Sequence, residues 1–320
     1  MTAEDVDEFS FLGAQAADAG IEGPLPHVER LSVALPDGRT LSALRFRPQG
    51  DDRSPEVTFL HGAGLNAHTW DTTILALGLP ALAIDLPGHG DSSWRDDLAY
   101  VARPLAADVV VGMDAWTDRP QLLVGQSLGG LTAAAVAASR PDLVDELVVI
   151  DITPGIDPNG NATQIRRFFA GPTDWATRDE LVDRAVSFGL GGTRQSAERG
   201  VFLNSRVRPD GRVEWKHHFA HLAAAMAAAS DREPSDAPRP ETDAVATVLN
   251  GDSGWEDLGA TARPITLIRG DHGYVTDIEA RDFASRLPAA RVETVASGHN
   301  VQEELPALLG RRLRELVGKR

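Results

Sequence analysis

The chain has 320 residues, 42% of them hydrophobic, with a formal charge of −16 and no cysteine. That length and apolar content fit one catalytic-sized domain with an insertion and a sizeable core. The acidity argues against a nucleic-acid partner, whose phosphates it would repel, and the missing cysteine excludes disulfides, thiolate metal sites and a Cys nucleophile. The first twenty residues, "MTAEDVDEFSFLGAQAADAG", carry acids where a secretory leader needs positive charge, and no stretch approaches the roughly 18 apolar residues of a membrane span. The expectation is a cytoplasmic protein that meets a small molecule rather than a membrane, as a monomer or homodimer. Its lysines are only Lys216 and Lys319, and this preference for arginine fits a GC-rich bacterial genome.

Taken in order, "HVERLSVAL" and "TLSALRFRP" flank the turn "PDG" at Pro36 to Gly38, which predicts an antiparallel hairpin. The apolar runs "EVTFLHG", "ALAIDLPG", "QLLVGQS" and "ELVVIDITPG" then alternate with helix-length stretches, "AHTWDTTILALG", "LAADVVVGMDAW" and "LGGLTAAAVAASRPD". Continuous apolar strands alternating with helices predict a doubly wound, mostly parallel α/β sheet covered on both faces. After Gly155 roughly ninety residues show helical but no strand-like periodicity. They include "TQIRRFFAG", "TRDELVDRAVSFG" with capping-box spacing at Thr177 and Glu180, and the Pro- and Asp-rich "DREPSDAPRPETD". Alternation resumes with "PITLIRG", "DIEARDFASRLP" and "RVETVA", and the chain ends in one amphipathic helix, "VQEELPALLGRRLRELV". The expected organisation is a core in two parts, 1–154 and 248–320, around a helical segment at 155–247.

Three loops carry chemistry. "GQSLGG", Gly125 to Gly130, follows an apolar strand and opens an Ala-rich helix, the setting in which G-x-S-x-G lifts a serine hydroxyl, here Ser127, above a sheet. "FLHGAG", residues 59–64, can aim a backbone N–H, that of Ala63, at an oxyanion together with the N–H of Leu128. "IDLPGHGDS", residues 84–92, follows the next strand.

With these motifs in this order, and with "GH" after the last strand, nearly the whole chain resembles the α/β-hydrolase superfamily. The resemblance implies a helical cap inserted between the sixth and seventh core strands, and a base at His299 in "ASGHN". It leaves His61, His89 and Asp85 as loop braces. It places the triad acid ordinarily three or four residues past Gly270, but Gly273 and Tyr274 stand there.

Two acids compete for that role. Asp151 ends the buried strand of "ELVVIDITPG", where an unpaired carboxylate would be costly. Some bacterial esterase-like members of the superfamily are similar to this chain in "I-D-I-x-P" after strand six and in a "Y-V-T/S" loop after strand seven, and their triad acid is the strand-six Asp. Asp151 is therefore the expected acid and Asp271 the alternative.

The expected activity is that of a serine hydrolase acting on a carboxylic ester, thioester or lactone of medium-sized, mainly apolar character. It needs no cofactor and no metal. The apolar character is read from Phe168, Phe169, Trp175, Phe188, Phe202 and Trp215. Trp215 and His218 are candidate pocket residues, with packing as the plainer role. The alternatives are a carbon–carbon hydrolase of the meta-cleavage type and a ligand-sensing protein of the same fold.

Overall fold

A computed structural model describes residues 6–156, 168, 171–222, 224 and 253–319. The Phe169 side chain and the segment "DREPSDAPRPETD" lie outside those residues.

After a short helix α1 (Leu12–Asp18), strands β1 (His27–Ala34) and β2 (Thr40–Arg47) form the expected hairpin, with Val33 opposite Leu41. Its turn closes by Gly38 N–H to Leu35 C=O at 3.0 Å, with Gly38 at φ 87°, where a side chain would be strained. The wound core follows as β3 (Val57–Leu60), α2 (Asp71–Leu77), β4 (Ala81–Asp85), α3 (Ala102–Trp116), β5 (Gln121–Gln126), α4 (Leu128–Ser139) and β6 (Val144–Ile150). Helices α5 (Arg178–Ser187) and α6 (Arg194–Asn204) and strands β7 (Ser205–Val207) and β8 (Val213–Trp215) come next. The chain then runs through α7 (Gly254–Ala260), β9 (Ile265–Gly270), α8 (Asp277–Arg286), β10 (Arg291–Val295), α9 (Val301–Glu304) and α10 (Pro306–Val317). The eight-stranded sheet has the order β1-β2-β4-β3-β5-β6-β9-β10, parallel from β4 through β10.

The apolar strands read as continuous because both faces are covered. Leu123, Leu147 and Val149 face one hydrophobic layer, with α3 and α4, while Leu122, Val124, Val148 and Ile150 face the other, with α2 and α10. Parallel strands bring all their C-terminal tips to one edge. Ser127 follows β5, Asp151 follows β6 and the loop after β9 lies beside them, because β6 pairs with both β5 and β9.

Two expectations are corrected. The segment after Gly155 is not without strands, for β7 and β8 pair antiparallel, Arg206 opposite Glu214, around the turn "PDG" at Pro209 to Gly211. Strands of three residues are too short to display a period of two. The last helix is also two: Leu305 sits at φ −129°, ψ 47° before Pro306, which lacks the N–H an unbroken helix would need. Thr177 does cap α5, accepting the Glu180 N–H at 3.4 Å.

Candidate active site

Ser127 stands at the turn from β5 into α4 with φ 53° and ψ −122°. A positive φ is strained for a residue with a side chain, so the surroundings must impose it. They do so by close approach. A Cβ on Gly125 would overlap the Gly129 backbone, and one on Gly129 would overlap the carbonyls of Leu60 and His61. Ser127 N–H donates to Ile150 C=O at 3.0 Å, tying the turn to the tip of β6. Ser127 immediately precedes α4, whose N-terminus supplies positive partial charge and unpaired N–H groups.

Among the described residues only Leu98, Ser127 and Asp151 combine a side chain with positive φ, Asp151 at 48°. That bend turns the Asp151 carboxylate, fully buried, toward the loop after β9. It accepts the Gly270 N–H at 3.1 Å, the Tyr274 N–H at 2.6 Å and, at 2.8 Å, the Nδ1–H of His299. A hydrogen on Nδ1 leaves Nε2 as the basic nitrogen of that imidazole. The Tyr274 ring stacks on His299 with centroids 3.6 Å apart and planes 11° from parallel, fixing the plane of the imidazole. Burial, with the Asp151 charge beside it, pushes the Tyr274 phenol up to about 12.

Asp271 takes a different place. Its Oδ1 accepts the Ser297 N–H at 3.0 Å and the exposed His272 Nδ1–H at 2.7 Å. Those bonds, His272 foremost and then the Ser297 N–H, hold its carboxyl below its ordinary value. Glu304 adds a second anchor to the histidine loop, accepting the Gly298 N–H at 2.8 Å and the Ser297 hydroxyl at 3.1 Å. Asp271 and Glu304 thus hold the loop that carries His299, while Asp151 holds the ring itself.

The loop after β3 is fixed by histidines that burial keeps neutral. His61 Nε2 accepts the Leu86 N–H at 2.9 Å while its Nδ1–H faces the Gly62 carbonyl at 2.8 Å. His89 Nε2 accepts the Gly64 N–H at 3.1 Å while its Nδ1–H faces the Pro87 carbonyl at 3.1 Å. Burial lowers His61 and sends His89 well below the ordinary imidazole value, which preserves the lone pair each needs as an acceptor. Asp85 accepts the Ala67 N–H at 2.8 Å and the Asp91 N–H at 3.1 Å. Burial alone would raise its carboxyl, but Arg30 and these N–H groups hold it below its ordinary value. Between these braces Ala63 N–H, like Leu128 N–H, donates to no protein acceptor among the described residues. Both are available to a ligand oxygen.

A network from the N-terminal segment stands behind this loop. Arg30 bonds Asp85 at 2.8 Å and grips both oxygens of Glu8, at 2.8 and 2.7 Å. His68 lies between Asp71 at 3.0 Å and Glu8 at 3.2 Å. Burial favours neutral His68, but the two carboxylates override it and raise the imidazole to about 9. The sequence offered no sign of this network, because its members lie up to 77 positions apart, from Glu8 to Asp85.

Trp215 and His218 enter an aromatic cluster. Trp215 stacks on His217 at 5.5 Å and meets Trp175 and Phe168, while His218 stacks on Trp94 at 4.1 Å and bonds the Tyr100 hydroxyl at 2.7 Å. Neither makes a hydrogen bond to Ser127, Asp151 or His299; Trp215 packs among rings, and His218 also bonds Tyr100 and, through its N–H, the Gly88 carbonyl at 2.8 Å. No group of three or more metal-binding side chains occurs among the described residues.

A wound sheet with a strained serine at a strand–helix turn and a carboxylate-held histidine at the neighbouring tips defines a hydrolase architecture. Residues 59–311 match the alpha/beta hydrolase family, and the chain belongs to that family. The chain is 35% identical over 312 residues to the esterase Rv0045c of Mycobacterium tuberculosis, covering 95% of this chain and 93% of the relative. A solved structure of that esterase superposes with a TM-score of 0.79 at 35% identity, covering 98% and 99% of the two chains. The sn-1-specific diacylglycerol lipase ABHD11 of Mus musculus is 26% identical over 275 residues, covering 80% of this chain and 79% of the relative. The chain is a hydrolase, similar in sequence and fold to an esterase. No helix among the described residues is long and apolar enough to cross a membrane.

Proposed function

We propose that the chain hydrolyses a carboxylic ester, thioester or lactone through an acyl-enzyme on Ser127, with His299 as base and Asp151 as the triad acid. The observation that carries the reading is the buried Asp151 carboxylate 2.8 Å from His299 Nδ1, at the strand tip next to Ser127.

In this mechanism the Ser127 hydroxyl attacks the carbonyl carbon and passes its proton to His299 Nε2. Asp151 keeps Nδ1 protonated and stabilises the imidazolium. The N–H groups of Ala63 and Leu128 receive the oxyanion; losing one such donor costs about 3 kcal/mol of barrier. His299 returns the proton to the leaving alcohol, thiol or ring oxygen. It then takes a proton from water, which attacks the acyl carbon, and hands that proton to the Ser127 Oγ as the acyl bond breaks, releasing the acid and free Ser127.

Residues 171–222 of the inserted segment serve as part of a lid, with Asn204 bonding Gly64 and His218 bonding Gly88 in the loops after β3 and β4. The Phe168, Trp175 and Trp215 cluster within it supports a mainly apolar substrate of medium size. A diketone hydrolase draws its acid from the loop after β9, and there the His299 ring meets Tyr274 and the loop's Asp271 turns to Ser297.

The test is turnover of p-nitrophenyl butyrate, a matched thioester, a lactone and a vinylogous diketone by wild type and Ser127→Ala. The expected outcome is acyl turnover that falls by about 10^6-fold in Ser127→Ala. Undiminished turnover in Ser127→Ala, or preference for the diketone, overturns the reading.

A further inference from the structure

Among the described residues, the loop 61–67 that carries Ala63 is anchored from outside the wound core at the end of α6, by Leu203 and Asn204. Asn204, at the end of α6, donates its Nδ2–H to the Gly64 carbonyl at 2.7 Å. Asn66 answers from the loop, donating to the Leu203 carbonyl at 3.0 Å and to Asn204 Oδ1 at 3.2 Å. Its own Oδ1 caps the next turn by accepting the His68 N–H at 3.0 Å. Both hydrogen-bonding groups of Gly64 are thus engaged, the N–H by His89 and the carbonyl by Asn204. Gly64 itself sits at φ 77°, a conformation open to glycine and strained for other residues. The two peptides that flank the Gly64 Cα are thus held, the first by a neutral histidine of the core and the second by an amide from the inserted segment.

We infer that Asn204, paired with Asn66, is a positioning residue that couples the seating of α6, in the inserted segment, to the orientation of the Ala63 N–H. The inference rests on the hydrolytic reading above. With α6 in place the Asn204 amide draws the Gly64 carbonyl outward and holds Ala63 N–H where a tetrahedral oxyanion forms. With α6 displaced, the loop loses its one anchor from that segment among the described residues. The N–H then points with less fidelity, and donors misplaced by an ångström forfeit much of their effect on rate. Because the contact acts on a donor used in the transition state, it governs kcat more than ground-state binding.

The decisive variant is Asn204→Asp, which keeps size and keeps an acceptor for Asn66 but sets a carboxylate oxygen against the Gly64 carbonyl. Full-length Asn204→Asp, Asn204→Ala and Ser127→Ala are compared with wild type on p-nitrophenyl butyrate. A trifluoromethyl ketone with the same acyl chain, which adds to Ser127 as a tetrahedral mimic, provides a second measurement. The expected result for both Asn204 variants is a kcat lower by about 10- to 100-fold with KM within about twofold. Ketone affinity falls in parallel, and melting temperature stays close to wild type. Wild-type kcat and ketone affinity in Asn204→Asp, or a change confined to KM, overturns the inference while leaving the hydrolytic reading standing. Ser127→Ala turning over like wild type overturns both.

Discussion

The tips of β6 and β9 are adjacent in the sheet, and each ends in an aspartate within reach of the histidine loop. Asp151 is fully buried, at a bend of positive φ, and gathers the Gly270 N–H, the Tyr274 N–H and the His299 ring. Asp271 has a side chain 40% exposed and takes the Ser297 N–H and a surface histidine. A carboxylate in the dry position orients a ring and stabilises its charge, since nothing there screens it. The wet one tethers the Ser297 backbone and holds the His272 ring. Position along a strand is thus a weaker guide than the direction in which the turn throws the side chain.

That contrast breaks most sharply at Asp151. Asp151→Asn should lower kcat/KM for p-nitrophenyl butyrate by about 10^3- to 10^4-fold, because an amide favours the wrong tautomer of His299. Full activity would move the acid elsewhere. Next comes Gly273→Ala. A Cβ at Gly273 would intrude on the Asp151 carboxylate, so steady-state kinetics should show a loss of about 10^2-fold in kcat with the fold retained by circular dichroism. Smallest is Asp271. Asp271→Asn keeps an oxygen for the Ser297 N–H and should stay within about threefold of wild type, whereas Asp271→Ala removes the anchor and should lose about tenfold in kcat. Equal effects of the two Asp271 variants would refute the tether.

Much of this was legible in the sequence. The apolar runs set the strand order's raw material, "GQSLGG" located Ser127, and four apolar residues running into Asp151 predicted its burial. The β7–β8 hairpin was equally signalled, by a second "PDG" whose turn matches the first: Gly211 N–H donates to Arg208 C=O at 2.9 Å, as Gly38 N–H does to Leu35. It was obscured because short strands lack a periodic signature. The break at Pro306 follows from proline chemistry, which the amphipathic pattern overrode. What no pattern carried were pairings across long separations: Asn204 with Gly64, and Glu8 with Arg30 and His68. Polar side chains of this kind gain meaning only once the fold sets them opposite a partner.

The family match begins at residue 59, yet Glu8, from well before that point, grips the arginine that holds Asp85 and flanks His68. This gives the fold an alkaline limit. A protonated His68 is worth more to the native than to the unfolded chain, so its contribution is complete below the ordinary imidazole value of 6.5 and fades as pH rises through about 9. Urea midpoints should therefore decline across that interval, by roughly 1–3 kcal/mol of stability, and His68→Gln should flatten the decline. Unchanged slopes would show that the imidazole is neutral in the native state. Trimming the chain to its matched region would keep Asp71, the stronger partner of this histidine, but discard Glu8, the second acid that favours its charge, and with it part of the frame on which the loop of Ala63 is hung.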